Sequence, residues 1–319
     1  MDELAIPHIA IENENLPDTL TWEEKALHIN TGIPEKLPPK AKQTLFRELR
    51  NTDYPHHNHI YTDGSKTSDG VGCGIFSQDA NIVICLPSHL SIFSAEAFAI
   101  IKALELCTIG LNVIFSDSRS VLEAVANNNS NHPWIINIRK LLHEKQGNTA
   151  LCWVPAHVNI HGNEKADALA KKGASLKTPI DIKTPFEDFK RLVNDQIITT
   201  WCNIWASSTS KLRRIKNTPF EWTTSYSNDR FINRVITRLR IGHTRLTHGH
   251  FAKKEDPAMC PSCGTRITVE HILVDCRLYD AERQRCKLGT SLQGILGDDI
   301  SILKKTVEFL KAANLQAHI

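Results

Sequence analysis

Four acidic residues lie in settings where the burial of a carboxylate would be costly. Asp63 and Asp117 each end a run of β-branched and aromatic residues that predicts a strand. Glu96 shares a helix face with apolar residues at three-and-four spacing, and Asp167 lies in the last predicted helix of the region. A buried, unpaired carboxylate needs a cation or a proton, so the four residues are candidates for one charged site.

The chemistry that such a site would perform follows from its ligand type. Carboxylate oxygens without sulfur ligands suit Mg²⁺, which is a hard cation that retains several waters. Hydrolysis of a phosphodiester adds an oxygen to an anionic phosphorus and releases an alkoxide. Two cations about 4 Å apart can activate the water and stabilise the leaving oxygen. Gathering four like charges is tolerable once metal neutralises them.

Each residue also has a simpler explanation when it is considered alone. Asp63 precedes a glycine and could simply form a turn. Asp117 could cap the following helix, and Glu96 could favour the helix dipole. His157 alone would be an ordinary loop histidine. The functional interpretation therefore depends on the conjunction of these residues.

The hydrophobic pattern from residue 58 onward predicts a mixed α/β sheet of five strands flanked by helices. The predicted strands are 58–63, 71–77, 81–86, 112–116 and 150–155. The predicted helices are 93–108, 118–128, 133–146 and 163–173. The first three strands form an antiparallel meander, because turn residues separate them.

Five short motifs follow one another along this region. They are Thr62-Asp63-Gly64-Ser65, Ser94-Ala95-Glu96, Phe115-Ser116-Asp117-Ser118, Trp153-Val154-Pro155-Ala156-His157 and Gly162-Asn163-Glu164-Lys165-Ala166-Asp167. In this order they resemble the type 1 ribonuclease H family over roughly residues 58–175. One motif alone would mean little, whereas the five together are specific.

The resemblance implies a site and a substrate. The four acids would bind two Mg²⁺ or Mn²⁺ ions, and His157 would assist proton transfer and product departure from a mobile loop. The family cleaves the RNA strand of RNA–DNA hybrids, which it can recognise because only RNA carries a 2′-hydroxyl. The residues beside the acids that could contact the substrate are Gly64, Ser65, Ser118 and Arg119. The resemblance also makes Asn163 a candidate positioning and substrate-binding residue. The alternative function is a nucleic-acid-binding protein that retains an inactive nuclease fold.

Basic residues are concentrated outside the resembling region. Residues 58–176 contain 9 Lys and Arg against 10 Asp and Glu, whereas residues 211–254 contain 11 against 2. Arginines alternate there with apolar residues, as on a basic amphipathic helix. The block suits contacts with nucleic-acid phosphates, and the simpler alternative is a solvated helix face. The span between Asp117 and His157 is short and lacks the extra basic helix of some family members.

A second group of candidate metal ligands follows the basic block. Cys260 and Cys263 are two residues apart, and His271 and Cys276 follow, so the four could close a tetrahedral Zn²⁺ site. The motif resembles the CCHC knuckles of retroelement proteins, although its gap of seven residues before the histidine is longer. The alternative is a loop with free thiols.

These features predict four parts: a connector (1–57), a ribonuclease H domain (58–176), a helical basic region (177–255) and a zinc-binding segment with C-terminal helices (256–319). The order resembles the C-terminal end of a jockey-like non-LTR retrotransposon polyprotein, which would make a reverse transcriptase a partner. The chain could be a fragment, a decayed copy or a gene product in its own right.

No apolar run approaches the ~20 residues of a membrane helix. Cysteines in apolar runs favour a reducing compartment, cytoplasm or nucleus.

Overall fold

The computed structural model describes residues 9–12, 27–34, 36–107, 109–145, 147–222 and 229–319. The chain divides into two compact units, residues 1–195 and 196–319. The strands are β1 (Ile11–Glu12), β2 (Ile29–Asn30), β3 (Asn58–Lys66), β4 (Val71–Phe76), β5 (Asn81–Leu86), β6 (Asn112–Ser116), β7 (Thr149–Trp153) and β8 (Thr184–Pro185). The helices of the first unit are α1 (Pro39–Asp53), α2 (Ile92–Leu106), α3 (Arg119–Ala126), α4 (Pro133–Glu144) and α5 (His161–Ala174). The helix α6 (Phe186–Ser207) begins in this unit and ends in the second.

The main sheet confirms the predicted mixed α/β fold and adds one strand to it. Its order is β2-β7-β6-β3-β4-β5. The meander β3-β4-β5 is antiparallel. The pairs β3-β6, β6-β7 and β7-β2 are parallel. The sheet therefore has six strands rather than the predicted five. The sixth, β2, has two residues, which is too short for an alternating hydrophobic pattern to reveal it.

The predicted elements agree with the observed ones to within a few residues at their ends. The strand that carries Asp63 extends to Lys66, three residues beyond its predicted end. The helix expected at 163–173 begins two residues earlier, at His161. Residues 108 and 146, the predicted ends of two helices, lie outside the described residues. Within the described part of the chain, none of the helices is long and apolar enough to span a membrane.

Glycines decide how closely the helices approach the sheet. Register pairs Asp63 with Gly74 and Gly64 with Cys73, and successive strand residues face opposite sides. A Cβ at Gly74 would lie 2.3 Å from the carbonyl oxygen of Ala166 in α5. A Cβ at Gly64 would instead lie 2.7 Å from the amide nitrogen of Glu96 in α2. The two helices therefore cover opposite faces of the sheet, and each comes close because a side chain is missing.

We expect Gly74→Ala to destabilise the first unit by roughly 1–3 kcal/mol, because the new methyl group overlaps backbone atoms of α5 that cannot move independently. The midpoint of thermal unfolding measures this change. Gly249→Ala is the control, since a Cβ at this helical position meets nothing within 4 Å. It should leave stability unchanged or raise it slightly. Equal midpoints for the native chain and Gly74→Ala would contradict the close contact.

Part of the predicted connector packs on the same unit as the sheet. Phe46 of α1 is buried, and its ring lies 5.1 Å from the ring of Phe115 in an edge-to-face arrangement. The strand β2 pairs with β7, and β1 pairs with β8 after residue 176. The segments on both sides of 58–176 thus contribute elements to the first unit.

The second unit is mainly helical, as predicted for the C-terminal region. Its helices, besides the end of α6, are α7 (Arg230–Ile241), α8 (Arg245–Lys253), α9 (Asp280–Cys286), α10 (Leu292–Leu296) and α11 (Ile300–Ala312). Its core joins apolar residues of α7 such as Leu239 with residues of α11 such as Phe309. The unit therefore has a hydrophobic core of its own.

Candidate active site and metal-binding cluster

Three of the four predicted acids meet at one end of the main sheet. Asp63 lies in β3, and Asp117 follows the neighbouring parallel strand β6. The register pairs Thr62 with Ser116, so the next residues of the two adjacent strands, Asp63 and Asp117, lie side by side. Glu96 reaches the same place from the beginning of α2. One carboxylate oxygen from each of the three acids lies within 4.8 Å of the others.

The position of Glu96 depends on Gly64. The absence of a side chain at Gly64 allows the backbone of α2 to approach β3 closely. The backbone amide of Gly64 also donates a hydrogen bond to the Glu96 carboxylate. The other oxygen, Oε2, is buried and has no hydrogen-bond partner among the described residues. An orphaned carboxylate oxygen in this setting fits a cation better than a structural role.

The electrostatics of the three acids also indicate a missing positive charge. Burial, followed by repulsion from Asp117 and Asp167, raises the pKa of Asp63 to about 8. Burial and the charges of Asp63 and Asp117 raise the pKa of Glu96 well above its ordinary value. Burial likewise raises the pKa of Asp117, although a hydrogen bond from Asn163 opposes the shift. Protons or a divalent cation must therefore neutralise part of this cluster at neutral pH.

The residues present fit a hard divalent cation. All the candidate ligand atoms are carboxylate oxygens, and Mg²⁺ takes oxygen ligands at about 2.1 Å. Oxygens within 4.8 Å of one another can share such an ion after small side-chain adjustments. Asp63, Glu96 and Asp117 would be its ligands.

Asp167 lies beside this cluster and has a second partner. Its carboxylate interacts with Asp63, and its Oδ2 accepts a 2.7 Å hydrogen bond from Lys171 Nζ one turn later in α5. An Asp and a Lys four residues apart on a helix are typical of such a pair, so Lys171 could have been identified from the sequence. Asp167 therefore lies near the three acids but outside their 4.8 Å group.

Asn163 and His157 reach the site from the segment that leads into α5. Asn163 is buried, and its Nδ2 donates a 3.1 Å hydrogen bond to Oδ2 of Asp117. His157 is exposed, and its charge acts on Asp117. The loop has two residues in the left-handed region, His157 with φ 53° and Asn159 with φ 58°. Such conformations are unusual outside glycine and concentrate at functional sites.

The predicted substrate contacts differ in their accessibility. Gly64 and Ser118 are half-buried at the cluster, whereas Ser65 is buried with 8% of its surface exposed. Gly64 also has a packing role, because its missing side chain allows α2 to approach β3. Their contacts with a substrate stay a prediction.

Two residues that the sequence analysis missed help to hold the site. Trp153 Nε1 donates a 3.1 Å hydrogen bond to the carbonyl oxygen of Asp117. Asp188 of α6 is buried and accepts a 3.1 Å hydrogen bond from the amide of Ser91, the N-cap of α2. The tryptophan belongs to a motif and could have been found, whereas no local pattern links Asp188 to a helix about a hundred residues earlier.

We expect the metal-free protein to lose stability as the pH rises from about 4 to about 8. The ordinary pKa of Asp63 is 3.8, and its value in the folded protein is about 8. Between these values the unfolded chain has released a proton that the folded chain retains, so a rise in pH favours unfolding. The measurement is the unfolding midpoint against pH without divalent ions, with Asp63→Asn as the comparison. Identical pH dependence of the two chains would contradict the shift.

The predicted zinc ligands also come together, in the second unit. One atom from each of Cys260, Cys263, His271 and Cys276 lies within 4.8 Å of the others. Cys260 Sγ and Cys276 Sγ are 3.6 Å apart as free thiols. Backbone bonds from Cys260 N to the Thr265 carbonyl and from Gly264 N to the Cys260 carbonyl form the tight turn. Gly264 has φ 67°, which favours glycine at that position.

His271 is oriented as a metal ligand would be. Its Nδ1 lies 3.3 Å from Thr265 Oγ1, and its buried Nε2 has no hydrogen-bond partner in the described part of the chain. Nearby His271 lowers the pKa of Cys260 to about 6, whereas burial raises the pKa of Cys276 to about 11. Three sulfurs and one imidazole nitrogen at this spacing are a donor set that suits Zn²⁺.

Comparison with known proteins identifies a family for part of the first unit. Residues 55–175 match the family model for RNase H. A search of the curated proteins finds no match to the chain. The matched residues include all four acids, His157 and Asn163, and they contain the sheet from β3 to β7. At the level of this family, the match supports hydrolysis of RNA–DNA hybrids. The fold and the family match together support an RNase H domain at residues 55–175.

Proposed function

We propose that the first unit hydrolyses the RNA strand of RNA–DNA hybrids at Asp63, Glu96, Asp117 and Asp167, with two divalent metal ions. The observation that carries this proposal is the convergence of three carboxylates, two of them buried, within an RNase H domain, where Oε2 of Glu96 has no hydrogen-bond partner among the described residues. Bound Mg²⁺ or Mn²⁺ ions would supply charge that activates the attacking water and stabilises the leaving oxygen.

The protein residues then have separable roles. Asp63, Glu96 and Asp117 hold the ions from two strands and a helix, which are rigid supports. Asp167 lies at the accessible side of the cluster, where its bond to Lys171 can exchange for a metal ligand. His157 lies on the exposed loop and can move a proton between the site and water. Asn163 orients Asp117 from a buried position.

The test is the incubation of a labelled RNA–DNA hybrid with Mg²⁺ or Mn²⁺, comparing the native chain with Asp117→Asn. We expect the native chain to cleave the RNA strand and leave 5′-phosphate and 3′-hydroxyl ends, whereas the variant does not. Absence of cleavage by the native chain with either metal would favour the alternative function, a nucleic-acid-binding protein with an inactive nuclease fold.

We expect Asn163→Ala to lower the rate of hybrid cleavage by roughly 10- to 100-fold, as is usual when the partner of a metal-ligating group is removed. The Asp117 carboxylate would lose its donor while remaining present. Because Asn163 acts through Asp117, the variant should need a higher Mg²⁺ concentration for half-maximal rate. Titration of the rate against Mg²⁺ measures this shift. An unchanged Mg²⁺ requirement would contradict the positioning role.

We also propose that Cys260, Cys263, His271 and Cys276 bind one structural Zn²⁺ ion. The support is the donor set itself, together with the buried Nε2 of His271, which has no hydrogen-bond partner among the described residues.

A nuclease followed by a CCHC-like cluster is the order expected of a non-LTR retrotransposon product. We therefore propose that role for the chain, with a reverse transcriptase as its partner. Co-purification with the reverse transcriptase of the same element would test the partnership, and failure to associate would contradict it.

A further inference from the structure

The second unit contains a cavity of about 220 Å³. Its walls come from four separate parts of the unit: residues 211–215, the end of α7 with the beginning of α8, the segment 266–270 after the cysteine turn, and Leu292 of α10. The cationic side chains that line it are Lys211, Arg214, Arg240 and Arg266. Glu270 is the one carboxylate among its described lining residues. The cavity therefore has an excess of positive charge.

Part of the charge of the basic block (211–254) is already used inside the protein. Arg240 donates hydrogen bonds to the carbonyls of Leu296 and Gly297, and its guanidinium lies 3.4 Å from the centre of the Trp222 ring. Arg238 Nη1 donates to the oxygen of Ile319 at 2.9 Å. These contacts reduce the number of arginines that α7 can offer to a ligand. The basic helix predicted from the sequence is in part a structural element.

Two cations at the cavity differ from these. Lys211 and Arg266 are exposed, and neither takes part in an ion pair among the described residues. Arg214, in contrast, pairs with Glu270 at 2.5 Å. Lys211 and Arg266 thus present unneutralised charge at the same cavity from segments more than fifty residues apart. Folding, rather than local sequence, brings them together.

His248 also lies beside these two cations. It lines the cavity, and its pKa is lowered by burial and then by His243, Lys211, His250 and Arg266. The floor is apolar, because Ile215, Leu239 and Leu292 also line the cavity. The site thus combines a cationic rim with an apolar base.

The position of Arg266 depends on the cysteine turn. Arg266 forms a β-bridge with Met259, the residue before Cys260. The amide of Cys260 also bonds to the carbonyl of Thr265, the residue before Arg266. The fold of the CCHC cluster therefore determines where this guanidinium lies.

We propose that this cavity binds a backbone phosphate of a nucleic-acid strand, held by Lys211 and Arg266, with the adjoining nucleotide against the apolar floor. Guanidinium and ammonium groups are the usual protein ligands of phosphate, and an arginine can offer two parallel donors. The volume is smaller than the roughly 300–1,000 Å³ of sites for drug-sized ligands, so it suits one nucleotide unit. The choice of a nucleic acid as ligand rests on the proposed nuclease function.

The test is equilibrium binding of a fluorescent RNA–DNA hybrid to the full chain, in buffer without divalent ions and without a chelator. Without divalent ions the assay measures binding and not cleavage. Binding at the cavity can therefore be detected in a chain that does not cleave the hybrid. The variants are Lys211→Ala and Arg266→Ala, whose exposed side chains are not needed for the core. Lys304→Ala is the matched control, since it removes one exposed positive charge from α11, away from the cavity.

We expect each cavity variant to weaken binding roughly tenfold, the effect of losing one charged hydrogen bond. The slope of log affinity against log salt should fall by about 1 for each lost phosphate contact. Lys304→Ala should change neither quantity. Equal effects from all three variants, or none from the cavity variants, would overturn the proposal.

Competition with adenosine monophosphate identifies the source of the phosphate. We expect the free nucleotide to compete weakly, because a strand makes further contacts that the monomer lacks. If the native chain binds the monophosphate, and the cavity variants lose affinity for it but keep their affinity for the hybrid, the cavity binds a free nucleotide. That result would overturn the assignment to a nucleic-acid strand.

Discussion

Asp63→Asn should abolish hybrid cleavage and at the same time stabilise the metal-free protein. The rate should fall roughly a thousandfold or more, because a central ligand loses the charge with which it holds the ions. Stability should rise at neutral pH because burial, followed by repulsion from Asp117 and Asp167, raises the pKa of Asp63 to about 8. The neutral amide removes one member of this repulsive group. Cleavage assays and thermal unfolding of the same preparations measure both effects.

The opposite signs of the two effects distinguish a lost ligand from a damaged fold. Asp79→Asn is a matched control, because Asp79 is an exposed acid in the turn between β4 and β5. It should change neither the rate nor the unfolding midpoint. Added Mg²⁺ should stabilise the native chain but not Asp63→Asn, since only the native chain retains the complete ligand set. A variant that still cleaves, or one that is less stable without metal, would contradict this assignment.

The double variant Cys260→Ser/Cys263→Ser should lose bound zinc and lower the stability of the second unit by several kcal/mol. Structural zinc contributes apparent free energies of about 10–16 kcal/mol in small zinc-finger peptides. The effect should be smaller here, because the second unit also has a hydrophobic core around Leu239 and Phe309. Elemental analysis should find about one zinc per native chain and none in the variant. Thermal unfolding should show an earlier transition for the second unit.

Cys202→Ser provides the comparison for this experiment. Cys202 is a half-buried free cysteine of α6 in the same unit, and it is not part of the CCHC cluster. Its replacement should change neither the zinc content nor the unfolding transition of the second unit. A native chain that is folded and free of metal would refute the zinc site. The proposed RNase H activity should be the same in the double variant as in the native chain, because the four acids lie in the first unit.

The two sites differ in how far local sequence could specify them. The acids at 63, 96 and 117 follow from motifs and from strand and helix periodicity, and the structure brings these three together. The CCHC spacing likewise predicted four residues that do meet. Both groupings could be anticipated because carboxylates, thiols and imidazoles are chemically distinctive side chains on short segments of regular geometry, whereas their binding of metal stays a prediction. The mixed α/β fold followed from the same periodicity.

Other features depended on contacts between distant segments. The strand β2 is too short to carry a pattern, and it exists because β7 offers a free edge. The bond from Ser91 to Asp188 joins α2 to a helix beyond the matched domain. The glycines at 64 and 74 are individually unremarkable in a strand, and only the packed helices show why a side chain would not fit.

The sequence by itself determined the chemical types of both candidate metal sites, the order of the elements and the concentration of basic residues after the nuclease. Tertiary structure alone decided which of those charges remain available. Arg238 and Arg240 are held by backbone oxygens, whereas Lys211 and Arg266 line one cavity and have no ion-pair partner among the described residues. The physical reason is that charge is a property of residues, but its neutralisation depends on neighbours that folding brings from elsewhere in the chain.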